Sequence, residues 1–276
     1  MAATRVLTWI DRRFGALALW LLARPGRGFA WLVGLHMALW WLVLVASQPN
    51  LPLDVVEIYG WSQNPGWATH KLPPLTAWLF WLFDHAGLHW QPIAQLQAPL
   101  SWGLMAWAIW RLGLLVASPG RALLAVLLLE AVGQLTFAAA LYNQNSVQLP
   151  FWALTALFVW QGLSGGRVLP WLLAGLCAAL GMLGKYFIVF LLAALFLFLV
   201  FEPAARRAWR TPGPWLCALA GALLLTPHFL SVARDFDWQP FGYALERAED
   251  AGHWSDHLLS PLSWLLAQAV GIADGL

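Results

Sequence analysis

Charge is what this chain has least of. Asp, Glu, Lys and Arg make up only 10% of its 276 residues, against about 25% in soluble domains. That scarcity excludes an ordinary water-soluble domain. Cysteine is nearly absent too. Cys177 and Cys217 both lie in apolar runs, so neither a disulfide framework nor a CxxC metal site is suggested. There is no basic stripe, which leaves nucleic-acid binding without support. Nothing reads as a Walker loop, a phosphate-binding glycine loop or a nucleophile elbow. The "GLSGG" after Gln161 is a plain loop. A nucleotide as direct energy or sugar source is therefore disfavoured. Nor does the start read as a secretory signal. Residues 1–28 carry Arg5, Arg12, Arg13, Arg24 and Arg27, and the apolar stretch 14–23 is too short to span. Residues 8–23 are expected to lie on the membrane surface as an amphipathic helix.

What the chain does have is 61% hydrophobic residues and 21 Trp. This composition predicts an all-α polytopic membrane protein. Apolar runs near spanning length lie at 28–47, 92–110, 122–141, 147–162, 168–184, 187–201 and 214–230, with an eighth from 258 onward. A single helix over 168–201 would be too long, so the chain is expected to turn at Gly184-Lys185-Tyr186. Residues 72–87 open on Pro73-Pro74 and hold only about ten apolar residues before Asp84, too few to cross.

Basic residues orient the bundle. With the N-terminus cytoplasmic and 72–87 not crossing, the inside receives Arg5, Arg12, Arg13, Arg24, Arg27, Arg111, Arg121, Arg167, Arg206, Arg207 and Arg210. These are 11 of the 15 Lys and Arg. The outside receives Lys71, Lys185, Arg234 and Arg247. This is a strong positive-inside asymmetry, and it vanishes if 72–87 crosses. The expected organisation is a cytoplasmic segment 1–27 and a transmembrane domain 28–276. The extracytoplasmic loop 48–91 carries an interfacial helix. That loop, "YNQNS" (142–146), Lys185-Tyr186, His228 and the acidic stretch 235–256 would then share one face.

Several polar residues on that face carry chemical potential. Asp54 and Glu57 stand at i, i+3 and would share a helix face. One could take a proton from a hydroxyl while the other positions substrate or a divalent metal ion; the plainer reading is a solvated acid pair. His70-Lys71 precede a proline-fixed helix start and could meet substrate or simply anchor at the headgroups. Lys185 is the only charge between Arg167 and Glu202. With Tyr186 it could hold a lipid phosphate as a point charge, or it could snorkel to the interface. Glu130, with Gln134 one turn on, lies inside an apolar run and reads as a structural acid hydrogen-bonded between helices. His36 likewise reads as a packing histidine. His85 with His89 and His253 with His257 have metal-compatible i, i+4 spacing but no third ligand.

Four segments in order then resemble a family: "LDVVEIYGWSQ…GW…HKLPPLTAWL", "YNQNSVQLPFWALTALFVW", "GMLGKYF" and "LLTPHFL…DF…PFGYAL". Over roughly 30–250 the chain resembles the polytopic glycosyltransferases of GT-C fold. It is most similar to the bacterial branch of the dolichyl-phosphate-mannose–protein mannosyltransferase superfamily, which includes the lipid A aminoarabinose transferase. One departure is Leu72, inserted between Lys71 and the prolines. Relatives also run longer, so the chain is read as stopping inside its eighth span.

The resemblance implies transfer of a sugar from a polyprenyl-phosphate carrier to a lipid, glycan or protein acceptor at the outer face of a bacterial inner membrane. By position it makes Asp54 the catalytic acid residue, with Glu57 assisting. It assigns substrate binding to His70, Lys71, Asn143, Asn145, Lys185, Tyr186 and His228. The rival expectations are a lipid-linked sugar flippase or a non-catalytic membrane scaffold. No internal repeat supports a transporter; Glu130 alone favours one.

Overall fold

The computed structural model describes residues 15–16, 19–21, 23–48, 50–88, 91–246 and 255–273. Most of the expected surface helix 8–23, His89, His253 and the 247–254 part of the acidic stretch lie outside the described residues, as does the side chain of His257. Every regular element described is helical, as expected for a chain that must satisfy its backbone polar groups internally within lipid.

Helix α1 (Pro25–Ser47) leads to two short helices, α2 (Leu53–Ser62) and α3 (Leu75–His85). Then follow α4 (Gln91–Val116), α5 (Pro119–Leu129), α6 (Gly133–Thr136), α7 (Gln144–Gly165), α8 (Val168–Gly184) and α9 (Ile188–Phe201). The chain continues through α10 (Pro203–Arg206), α11 (Gly213–Asp235), α12 (Gln239–Glu246) and α13 (Asp256–Ala273). The long helices pack as a row, α1 on α4, α4 on α7, α7 on α8 and α8 on α11. The α8–α11 crossing is close because it is made by glycines. A Cβ on Gly175 would collide with the Cys217 backbone carbonyl, and one on Gly221 would sit 3.3 Å from the Gly175 oxygen. Small residues allow such approach where apolar burial gives little drive between helices in lipid. Cys177 and Cys217 are free thiols.

Helices α1, α11 and residues Ala94–Val116 of α4 are long and apolar enough to cross a membrane. Helix α9 makes a fourth candidate with Pro203–Arg210, but the two axes bend by 84°. Helix α7 is long enough, but its first turns carry Gln144, Asn145 and Gln148. Helices α5 and α8 are shorter and apolar. Seven of the eight expected runs are thus helices of uneven length, and the chain does turn at Lys185–Phe187, between α8 and α9.

One run departs from its expected form. Residues 122–141 are not a single helix: α5 stops at Leu129, Val132 is extended, and a 3-10 turn occupies Ala138–Ala140. Glu130 stands at this break. Its carboxylate lies 2.9 and 3.1 Å from His36 Nδ1, and the His36 ring stacks on Trp102 at 3.5 Å. The histidine is buried and the acid half-buried. The two residues expected to be structural are each other's partners, in keeping with the cost of an unpaired acid inside lipid.

Packing defines two ends. At one, α2 and α3 cover the bundle: Val55, Ile58, Leu75 and Phe80 pack with Ala94, Tyr142, Val147 and Leu183. At the other, Val159, Trp171, Leu199 and Ala205 form a separate cluster. Helix α3 is the expected short helix of 72–87. It buries Leu75, Thr76, Ala77 and Phe80 and exposes Trp81 and Leu82.

Candidate active site

Helix α2 starts directly after Pro52 and places Asp54 in its first turn, where the helix dipole favours an anion. Val55 and Ile58 are buried beneath it; Asp54 is exposed and Glu57 half-buried. The loop after α2 is pinned by Thr69. Its hydroxyl donates to the Leu72 carbonyl at 2.6 Å and accepts from the Leu72 and Lys71 amides at 3.0 and 3.3 Å. That turn delivers Lys71 to Glu57, with Nζ at 3.0 and 2.9 Å from the two carboxylate oxygens. The hydrogen bond to Glu57 raises the Lys71 pKa above 10.5, with further help from the charges of Glu57, Tyr243 and Asp54 against the desolvation of burial. Lys71 is therefore a fixed cation. Among the described residues, the Asp54 carboxylate makes no hydrogen bond.

A second polar group lies between α7, α8, α9 and α11. Lys185 Nζ donates to Asn145 Oδ1 at 2.5 Å and sits 4.7 Å from the Phe187 ring centre. Next to it, the Tyr186 hydroxyl is 2.9 Å from His228 Nε2, and His228 Nδ1 is 2.7 Å from the Trp67 carbonyl oxygen. A carbonyl can only accept, so Nδ1 carries the proton and Nε2 accepts from Tyr186. Burial pushes the Tyr186 phenol well above its ordinary value, which keeps that donor protonated. His228 is fully buried and adjoins Pro227, which leaves the α11 hydrogen-bond ladder one donor short.

The two groups are joined twice. The α2–α3 loop reaches His228 through the Trp67 carbonyl. Helix α12 stacks Phe241 on Tyr186 at 5.0 Å and sets the Tyr243 ring 5.4 Å from Lys71 Nζ. To bring α12 back, the chain runs through left-handed backbone at Asp237 (φ 44°) and Trp238 (φ 61°), an uncommon conformation for such residues. Trp67, Phe241 and Tyr243 were not among the expected site residues. The "PFGYAL" segment was the signal for the last two, whereas a backbone carbonyl leaves no signal at all.

Other expected residues fall differently. His70 is exposed and meets Trp61 edge-on at 6.0 Å. It lines a cavity of about 170 Å³ with Trp61, Asn64, Thr69, Pro74 and Phe236. Asn143 is the N-cap of α7. Its side-chain oxygen accepts from the Asn145 and Ser146 amides at 2.8 and 3.2 Å, and Ser146 closes a capping box. That oxygen is committed to the fold. As for metal, no three His, Cys, Asp or Glu side chains converge among the described residues. Both Glu57 oxygens are already held by Lys71, so the Asp54–Glu57 pair does not fit a metal ion as it stands.

A family model described as dolichyl-phosphate-mannose-protein mannosyltransferase matches residues 71–230, more than half of the chain. The chain belongs to this family. No curated protein and no solved structure matches it. Membership makes it a membrane glycosyltransferase of the GT-C superfamily, and the family implies a lipid-linked sugar donor. Lys71, Asn143, Asn145, Lys185, Tyr186 and His228 fall within the family match. Asp54, Glu57 and His70 precede it.

Proposed function

We propose that the protein transfers a sugar from a polyprenyl-phosphate carrier to an acceptor hydroxyl at the extracytoplasmic face of a bacterial inner membrane. In this reading the acceptor oxygen attacks the anomeric carbon and the bond from that carbon to the phosphate oxygen breaks. The polyprenyl phosphate leaves with the electron pair, and Asp54 takes the hydroxyl proton. Lys185 and Lys71 face the phosphate as its charge grows, while Tyr186 and His228 hold the α8–α9 turn in place. The observation that carries the reading is an exposed carboxylate, Asp54, with no hydrogen bond among the described residues, near a cation, Lys71, that Glu57 holds in place. Both lie at the bundle end opposite Arg111, Arg121, Arg167 and Arg207.

The flippase alternative rested on Glu130, whose carboxylate is taken up by His36. The two readings differ in what they make. Transfer from a radiolabelled polyprenyl-phosphate sugar in reconstituted vesicles tests both. Wild-type protein should yield labelled acceptor, and Asp54→Asn should lower turnover by about 10²–10⁴-fold, the usual loss when a positioned base is removed. Movement of labelled donor across the bilayer without any transfer product would favour the flippase.

A further inference from the structure

The arginine-bearing end holds a cavity that the transfer reaction does not use. It measures about 280 Å³ and lies between the α7–α8 turn and the start of α11, roomy enough for several water-sized groups. Arg167 and Arg207 stand on its wall. Trp171 is its floor: the ring is 3% exposed and wedged against two glycines. A Cβ on Gly162 would meet the ring at 2.7 Å, and one on Gly213 would meet it closer still. The floor is apolar and the rim cationic.

Three further facts bear on what enters. First, acid is missing. Across residues 161–213 the only carboxylate is Glu202, and its oxygen accepts from the Ala204 amide at the start of α10. Neither Arg167 nor Arg207 is in an ion pair among the described residues. Second, the cavity lies beside a sharp bend of the chain. Pro203–Arg210 bends 84° from α9, so if α9 crosses the bilayer this segment lies along its surface. Third, Trp209 within the segment and Trp215 just after it meet edge-on at 5.4 Å. Trp215 is largely exposed, as interfacial anchors are.

We infer that this cavity binds the phosphate headgroup of an anionic glycerophospholipid. Arg167 and Arg207 would clasp the phosphate oxygens, with the acyl chains running down the exposed apolar side of α9. Arginine suits this because its planar fork takes two phosphate oxygens at once. Basic pockets between helices at the membrane surface are the usual form of such sites. The inference is independent of sugar transfer.

The full chain, purified in neutral detergent, should be titrated with phosphatidylglycerol, phosphatidylcholine and inorganic phosphate. Retained adducts are read by native mass spectrometry, and stability by thermal unfolding. Phosphatidylglycerol should be retained and should raise the unfolding temperature, whereas phosphatidylcholine should not. Arg167→Gln/Arg207→Gln should weaken retention by about thirtyfold, each interfacial cation being worth on the order of fivefold. Arg121→Gln, at the same end but away from the cavity, should leave retention unchanged. Equal retention of both lipids overturns the inference, as does wild-type retention by the double variant. Displacement of phosphatidylglycerol by millimolar phosphate would assign the cavity to a soluble anion instead. Should the glutamine pair fail to fold, Arg167→Lys/Arg207→Lys keeps the charge, and preference for phosphatidylglycerol must then persist.

Discussion

At one end of the bundle every described lysine has a partner: Lys71 is held by Glu57, and Lys185 by Asn145. At the other end Arg24, Arg27, Arg111, Arg121, Arg167, Arg206, Arg207 and Arg210 make no ion pair among the described residues. Polarity is common to both ends, but its organisation is not. The lysine end is roofed by two short helices and cross-linked by the Trp67–His228–Tyr186 chain of hydrogen bonds. Arginines at the opposite end stand open at the surface. A paired cation with defined neighbours suits a reaction in which charge moves by a small distance. An unpaired cation at the headgroups suits orientation and lipid contact.

The comparison breaks first at Asp54. Asp54→Asn should lower turnover by about 10²–10⁴-fold, while Arg111→Gln at the other end should leave it within about twofold. Radiolabel transfer measures both. Equal losses would mean that the two ends do not divide the labour in this way. Sidedness is the next test. A cysteine at exposed Asn64 should react with an impermeant thiol reagent from outside intact cells, whereas one at exposed Arg210 should react only after permeabilisation. The reverse labelling would turn the bundle over.

Within the lysine end, Lys185 should matter more than its neighbours for donor binding. Lys185→Ala should weaken donor affinity about tenfold or more, since a hydrogen bond to a charged group is worth about 1.5–3 kcal/mol. Lys185→Arg should restore part of it. Unchanged affinity in the alanine variant would make Lys185 an interfacial anchor. Asn143 should behave differently from Asn145. Asn143→Ala removes a cap and should cost about 1 kcal/mol in stability. Asn145→Ala removes one partner of Lys185 and should alter donor affinity without that loss.

The smallest effect expected is at Lys71. Its pKa is raised by Glu57, so the stability from this pair is present at pH below 10.5 and fades as pH rises through the raised value. The pair is only partly buried and should contribute no more than about 1 kcal/mol. Wild-type and Lys71→Met melting curves should converge above that pH; a constant gap would remove the ion pair as the cause.

The residues themselves said much about the fold. Apolar runs set the helices, because lipid allows no unsatisfied backbone. Two prolines set the start of α3, and "GKY" set the turn between α8 and α9. The lopsided distribution of arginine gave the bundle two unlike ends. The partner of Glu130 at the break in 122–141 was not legible, since it is a histidine 94 residues away, and local propensity carries no trace of such a partner.

The site divides along the same line. Asp54, Glu57, Lys71, Lys185, Tyr186 and His228 were named from their chemistry and order along the chain. Sequence alone determined which side chains could bear charge, and on which end of a bundle threaded through lipid they would collect. Only the tertiary structure decided which are committed to one another. Glu57 is spent on Lys71, Asn143 caps α7, and His228 is oriented by the carbonyl of Trp67. Partners of this kind are fixed by helix packing and by backbone atoms. Every residue carries a backbone carbonyl, so the sequence holds no mark of which one will be used.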